Sequence, residues 1–168
     1  MKRLIFTAAA SILCATAAMA APGDMGVGIN LGAAPCIEKD ANLTNFIVGV
    51  KYQYQVTNLI RLQADVDFGF KDKGVSTFNA MANAHFLIPC AKNFTLYPLA
   101  GIGYGSVKHS FKIDDHNVTD NADKFAFNIG IGAEYAITSN WAANFEFKYQ
   151  YMPDFSRLPI LVGLTYKF

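Results

Sequence analysis

Long apolar runs, cysteine and unbalanced charge are all scarce in this 168-residue chain. Past the amino terminus, no stretch reaches the roughly 20 apolar residues that a membrane-spanning helix needs, so helical spans are not expected in the body of the chain. Fourteen Lys and Arg stand against thirteen Asp and Glu, a net +1. That leaves no basic surplus for a phosphate backbone, and nucleic acid is not an expected partner. Only 16% of residues are charged and 52% are hydrophobic, too apolar a composition for a disordered chain. The length suits one ordinary domain.

The one sustained apolar stretch is at the start. Met1-Lys2-Arg3 is basic, Leu4 to Ala18 is apolar and Ala-rich, and Ala18-Met19-Ala20 is a small-x-small cleavage site. Residues 1–20 therefore read as a secretory signal that is removed, leaving 21–168 as a single domain. Leu13 ahead of Cys14 is larger than the residue lipidation signals carry there, which argues against a lipoprotein. The processed chain keeps Cys36 and Cys90, in a compartment where disulfides form.

What is abundant is alternation with a period of two, the signature of strands with two unlike faces. Eight such segments follow one another, near residues 27–31, 46–54, 60–70, 78–88, 94–104, 125–135, 141–151 and 160–168. In the third, Ile60, Leu62, Ala64, Val66, Phe68 and Phe70 oppose Arg61, Gln63, Asp65, Asp67 and Gly69 without exception. Ile47 is out of step in the second segment. Pro98 sits in the apolar row of the fifth, where a bulge or irregularity is expected because proline cannot donate to a ladder. Short turns at Val56–Asn58, Pro89–Asn93 and Ala136–Asn140 alternate with longer connections at Pro35–Leu43, Ser106–Asp123 and Met152–Leu158; Lys71–Gly74 is short. The pattern predicts an all-β fold, an eight-stranded antiparallel up-and-down transmembrane β-barrel.

A soluble carrier barrel also alternates, with its apolar rows turned inward. Here the polar rows are crowded with glycine, which suits a narrow interior holding a few long side chains. Aromatics gather toward the ends of the apolar rows, as interfacial girdles do. The outward face is therefore the apolar one, in contact with outer-membrane lipid.

The stretch from Phe94 to Gly105, with its aromatic-Pro-x-Ala-Gly-x-Gly sequence, resembles a strand of the small outer-membrane β-barrels that include OmpX, the OmpA transmembrane domain and the opacity-type porin-like proteins. The resemblance extends over Ala21 to Phe168 and implies the bacterial outer membrane as the location. The ending Leu164-Thr165-Tyr166-Lys167-Phe168 resembles the terminal insertion signal of such barrels, carried on Leu164, Tyr166 and Phe168, which implies the barrel assembly machinery as a partner during biogenesis. The family has no shared catalytic residues to carry over, and its members include adhesins, structural proteins and narrow channels.

Chemistry-bearing motifs are few, and no cofactor or metal is expected. His109 and Ser110 are adjacent and lack a companion carboxylate, unlike a nucleophilic hydrolase site. Asp114, Asp115, His116, Asn117, Asp120, Asn121 and Asp123 lack the spacing and glycine of a calcium loop. The triplets starting at Asn42, Asn93 and Asn117 match glycosylation acceptors but carry little weight in a bacterial barrel. The informative charges lie in the polar rows: Lys51, Arg61, Asp65, Asp67, His85, Glu134, Glu146, Lys148 and Lys167. Inside an eight-stranded barrel such groups must be paired or wetted, and the two signs are near balance. The expected function is a non-enzymatic barrel with a structural or surface-interaction role, its lumen filled by a charge network and its loops offered to an extracellular partner. The alternative is a narrow, porin-like path for small solutes or apolar molecules. Cys36 and Cys90 are expected at opposite ends of the barrel and unpaired.

Overall fold

The computed structural model describes residues 21–37, 43–72, 74–113, 116–153 and 155–168; the expected signal, residues 1–20, lies outside them. The described residues form nine antiparallel strands: β1 (Met25–Pro35), β2 (Thr44–Gln55), β3 (Ile60–Asp72), β4 (Val75–Phe86), β5 (Ile88–Ala91), β6 (Phe94–Ile113), β7 (His116–Ala136), β8 (Trp141–Tyr151) and β9 (Ile160–Lys167). Each pairs with its neighbour in sequence except β4 and β5, which do not pair with each other; β1 pairs with β9, and β4 pairs with β6. The sheet therefore closes on itself. β4 and β5 are two parts of one wall strand, since both lie against β6, and the barrel has eight staves.

The break between β4 and β5 is the irregularity expected at Pro98. His85 pairs with Leu99 and Ile88 with Leu96, but Phe86 and Leu87, opposite Pro98 and Tyr97, drop out of the ladder. Proline has no N–H to give, and Leu87 N donates to Leu59 O at 2.7 Å instead. On its other side Pro98 stays in register with Ile131.

Register partners followed round the barrel run Glu134, Asn144, Gly163, Asn30, Gly49, Asp67, Asn79, Gly105 and Lys124. The path returns to β7 ten residues from its start, between Glu134 and Lys124. That stagger tilts the strands, and with eight of them it gives an interior that side chains alone can fill. The apolar rows face out, with Val50, Ile102 and Ile129 more than half exposed (58%, 56% and 53%), while Asn30 and Glu146 inside are fully buried at 0%. Ring contacts mark both rims of the apolar belt: Trp141 with Tyr166 and Tyr166 with Phe168 at one end, Phe46 and Phe68 with Phe70 at the other.

One end carries both described termini and three tight turns, and is called the turn end below. Two of its turns use the same device. Thr57 Oγ1 accepts from the N–H groups of Leu59 and Ile60, and Thr138 Oγ1 accepts from those of Asn140 and Trp141, so a threonine side chain stands in for a missing backbone partner. At the opposite, loop end, Gly74 turns the chain from β3 to β4 with φ of +89°, a conformation that glycine adopts without a Cβ clash.

One sequence reading needs correction. The stretch 106–123, expected to be a loop, is largely strand: β6 and β7 stay paired from Ser106 with Asp123 out to Ile113 with His116. Alternation fails there because no bilayer imposes an apolar outer face once the hairpin rises past Tyr104 and Phe125. Ile47, the apolar residue in the polar row of the second segment, faces inward as its parity places it and packs with Ala34 and Leu161 at 1% exposure each.

Candidate functional site: the charged lumen

Toward the turn end, three charges from three strands meet across the interior. Glu134 on β7 accepts from Arg61 Nη1 of β3 at 2.5 Å through one carboxylate oxygen and from Lys167 Nζ of β9 at 2.6 Å through the other. Arg61 also reaches the Nδ1 of His85 (3.3 Å from Nε) and lies over the Tyr97 ring at 4.9 Å. His85 stacks on Tyr97 with ring centroids 4.7 Å apart. The Tyr97 hydroxyl donates to Glu146 at 3.0 Å, which carries the network to the waist.

At the waist Lys148 bridges two carboxylates, Glu146 at 2.7 Å and Asp65 at 3.3 Å. Asp65 accepts two further bonds, from Gln63 at 2.7 Å and Asn83 at 2.5 Å, so its buried charge is matched by donors on all sides. Lys51 donates to Asn144 Oδ1. Glycines supply the room: a Cβ on Gly132 would run into the Tyr97 ring, and one on Gly105 into the Met152 sulfur.

The loop end is filled differently. Between β8 and β9 the chain folds inward, and Met152 and Phe155 pack with Leu43, Met81, Val107 and Ala126 in an apolar cluster. Arg157, 1% exposed, donates from Nε to Gln150 Oε1 at 2.7 Å and from Nη1 to Thr77 Oγ1 at 2.9 Å. Outside, Ser106 and Asp123 follow the Tyr104 and Phe125 rings. There the hydroxyls of Ser106 and Tyr104 hold the Asp123 carboxyl below the usual carboxylate range.

All nine charges anticipated in the polar rows face the interior. Arg61, Glu134, Lys167 and His85 form one group, and Asp65, Glu146 and Lys148 a second. Lys51 stands against an amide, and Asp67 Oδ1 has no protein hydrogen-bond partner. Reading charges alone missed Tyr97 and the amides Gln63, Asn83 and Asn144, although their parity places each in an inward row. Arg157 carried no such signal, because the segment around it has no periodicity. Leu164, Tyr166 and Phe168 lie on the outer face, 36%, 39% and 61% exposed. Cys36 is bridged to Arg157 at the loop end and Cys90 lies in β5 at the turn end; both thiols are free. His109 and Ser110 are backbone-paired within β6; their side chains lie outside the described residues, as do Asp114, Asp115 and the side chains of 116–122.

An apolar belt between two aromatic rims, around a polar, ion-paired interior, defines an outer-membrane-type β-barrel. The chain belongs to the family of the outer membrane protein beta-barrel domain, which it matches over residues 5–168, and its place is the bacterial outer membrane. It is 29% identical over 133 residues to the 31 kDa outer-membrane immunogenic proteins of Brucella melitensis and Brucella suis. That match takes in 66% of this chain and 55% of theirs, so the chain spans about half the length of these relatives. The fold is similar to that of Neisserial surface protein A (TM-score 0.74, 14% identity, 87% of this chain and 99% of that one). It is also similar to Ail, the attachment invasion locus protein of Yersinia pestis (TM-score 0.61, 17% identity, 87% and 99%).

Proposed function

We propose that this protein is a structural and surface-interaction barrel of the outer membrane, without enzymatic activity and with a lumen closed to ions. The observation that carries this reading is the cross-lumen bracing, with Arg61, Glu134 and Lys167 joining β3, β7 and β9, and Lys148 joining β8 to β3. An ion entering such a space meets fixed charges of both signs in a medium of low dielectric. The long β6–β7 hairpin and the connections at the loop end are offered to an extracellular partner. The immunogenic and surface-protein character in the names of the similar proteins is in keeping with that orientation.

Residues 1–20 serve as the export signal, and Leu164, Tyr166 and Phe168 are the outward row read by the barrel assembly machinery. Replacing Phe168 by Asp is expected to lower the amount of folded barrel in the outer membrane, scored by heat-modifiable gel mobility. Planar-bilayer recording tests the closed lumen: purified wild-type protein is expected to give no stable single-channel steps. Reproducible steps would favour the second reading, a narrow channel, which draws support from buried polar atoms without a protein partner, among them those of Asn30, Asn45 and Asn79.

A further inference from the structure

One inward register row differs from the others. It starts at Lys167 and runs through Gly26, Gln53, Gln63, Asn83, Gly101, Asn128 and Gln150 to Arg157, winding once round the barrel from turn end to loop end. Between its two basic ends every side chain is a neutral amide or absent. The five amides are each at most 3% exposed, and the carboxylates of the lumen all lie in other rows. Gln53 donates to Gln63 at 2.6 Å, so part of the row is already a chain of hydrogen bonds.

At its waist the chain is incomplete. Asn83 gives its Nδ2 to Asp65 at 2.5 Å, which fixes the orientation of the amide and turns its Oδ1 toward Gly101. Asn128 Oδ1 approaches the same glycine from the other side, and both oxygens crowd the position a Cβ would take. Neither oxygen has a protein hydrogen-bond partner. Two buried acceptors converging on a notch call for a donor, and a neutral one suits them, since Lys148 stands one residue pair away, opposite Gly130.

At the loop end the row is stopped by Arg157. Its backbone pairs with that of Gln150 at 2.9 and 3.0 Å, its Nε holds the Gln150 side chain, and Phe155 beside it anchors the inward fold in the apolar cluster. At the turn end no connection among the described residues folds over the row in this way, and the Lys167 side chain, 19% exposed, reaches solvent.

We propose that the amide row is a latent path for small uncharged hydrogen-bonding solutes of the urea or glycerol class, shut at the loop end by Arg157 and Phe155. Such a solute exchanges hydrogen bonds with successive amides, whereas an ion must shed its water beside charges of both signs. The inference adds to the closed-barrel reading and fails separately from it.

The test is osmotic swelling of phosphatidylcholine–phosphatidylglycerol vesicles in urea and glycerol gradients, using full-length barrels whose folding is verified by heat-modifiable mobility. Wild-type protein is expected to swell vesicles at the bare-lipid rate. Arg157→Ala, and independently Phe155→Ala, are expected to raise urea and glycerol entry several-fold without ionic steps. Adding Asn128→Leu to either is expected to restore the lipid rate. Folded Arg157→Ala and Phe155→Ala proteins that swell vesicles no faster than wild type would overturn the proposal, as would solute entry that Asn128→Leu leaves unchanged. Ionic steps in the wild type would instead bring down the closed-lumen reading.

Discussion

The turn-end half of the lumen and its loop-end half are filled by different chemistry. The first is braced by charges: Glu134 holds both Arg61 and Lys167, so three strands distant in sequence are tied through one carboxylate. The second holds the single carboxylate of Asp67 among neutral amides, an apolar cluster and one guanidinium brought in by a connection between strands. Bracing from the staves themselves ties strands that are not neighbours, so opening the barrel there must break it. A cover carried on a connection can detach while every strand pair stays intact, so the two halves are expected to open at different free energies.

The largest expected effect comes from breaking the brace. Glu134→Ala leaves the buried Arg61 without its carboxylate and is expected to cost about 3–5 kcal/mol, measured by denaturant unfolding in micelles. A loss no larger than that of a surface mutation would mean the charges are wetted rather than paired. Next comes the outer face. Leu62→Arg is expected to cost roughly 2–4 kcal/mol near the bilayer midplane, whereas the inward neighbour Gln63→Ala is expected to cost about 1 kcal/mol, since Asp65 keeps its bonds from Asn83 and Lys148. Equal losses would reverse the faces.

Phe155→Ala sharpens the comparison from the other half. If the loop-end cover detaches by itself, global stability is expected to change by less than about 1.5 kcal/mol, well short of the roughly 3–5 kcal/mol of a core phenylalanine. A full core-sized loss would make the two halves one unit. The smallest effect concerns Asp123, whose carboxyl is held low by the Ser106 and Tyr104 hydroxyls. A group with a depressed folded pKa stabilises above its unfolded pKa and loses that contribution as pH falls through the folded one. Amide protection near the Ser106–Asp123 pair is therefore expected to drop only on acidification below about pH 4. A decline starting near neutrality would show that another group controls it.

The same division explains what could be read from the sequence. Where bilayer and lumen both act on a strand, they impose opposite demands on alternate residues, so the third segment showed its inward Arg61, Asp65 and Asp67 directly. Ile47 broke the pattern because the lumen near the loop end accepts an apolar side chain against Ala34 and Leu161. The outer parts of β6 and β7 looked like a loop because water lies on both sides of them, and only their backbone pairing makes them strands. Arg157 was invisible for a related reason: its position depends on a cluster assembled from Leu43, Met81, Val107, Ala126 and Phe155, residues that no local spacing connects.

Residue-resolved amide hydrogen exchange on the folded wild-type barrel in micelles tests the division between the halves most directly. The slowest exchange is expected where the brace joins β3, β7 and β9, around Arg61, Glu134 and Lys167, with faster exchange from Phe155 to Leu158 and along the outer hairpin, by sub-global opening that leaves the brace intact. Uniform protection across both halves, or slower exchange at Arg157 than at Glu134, would contradict the account.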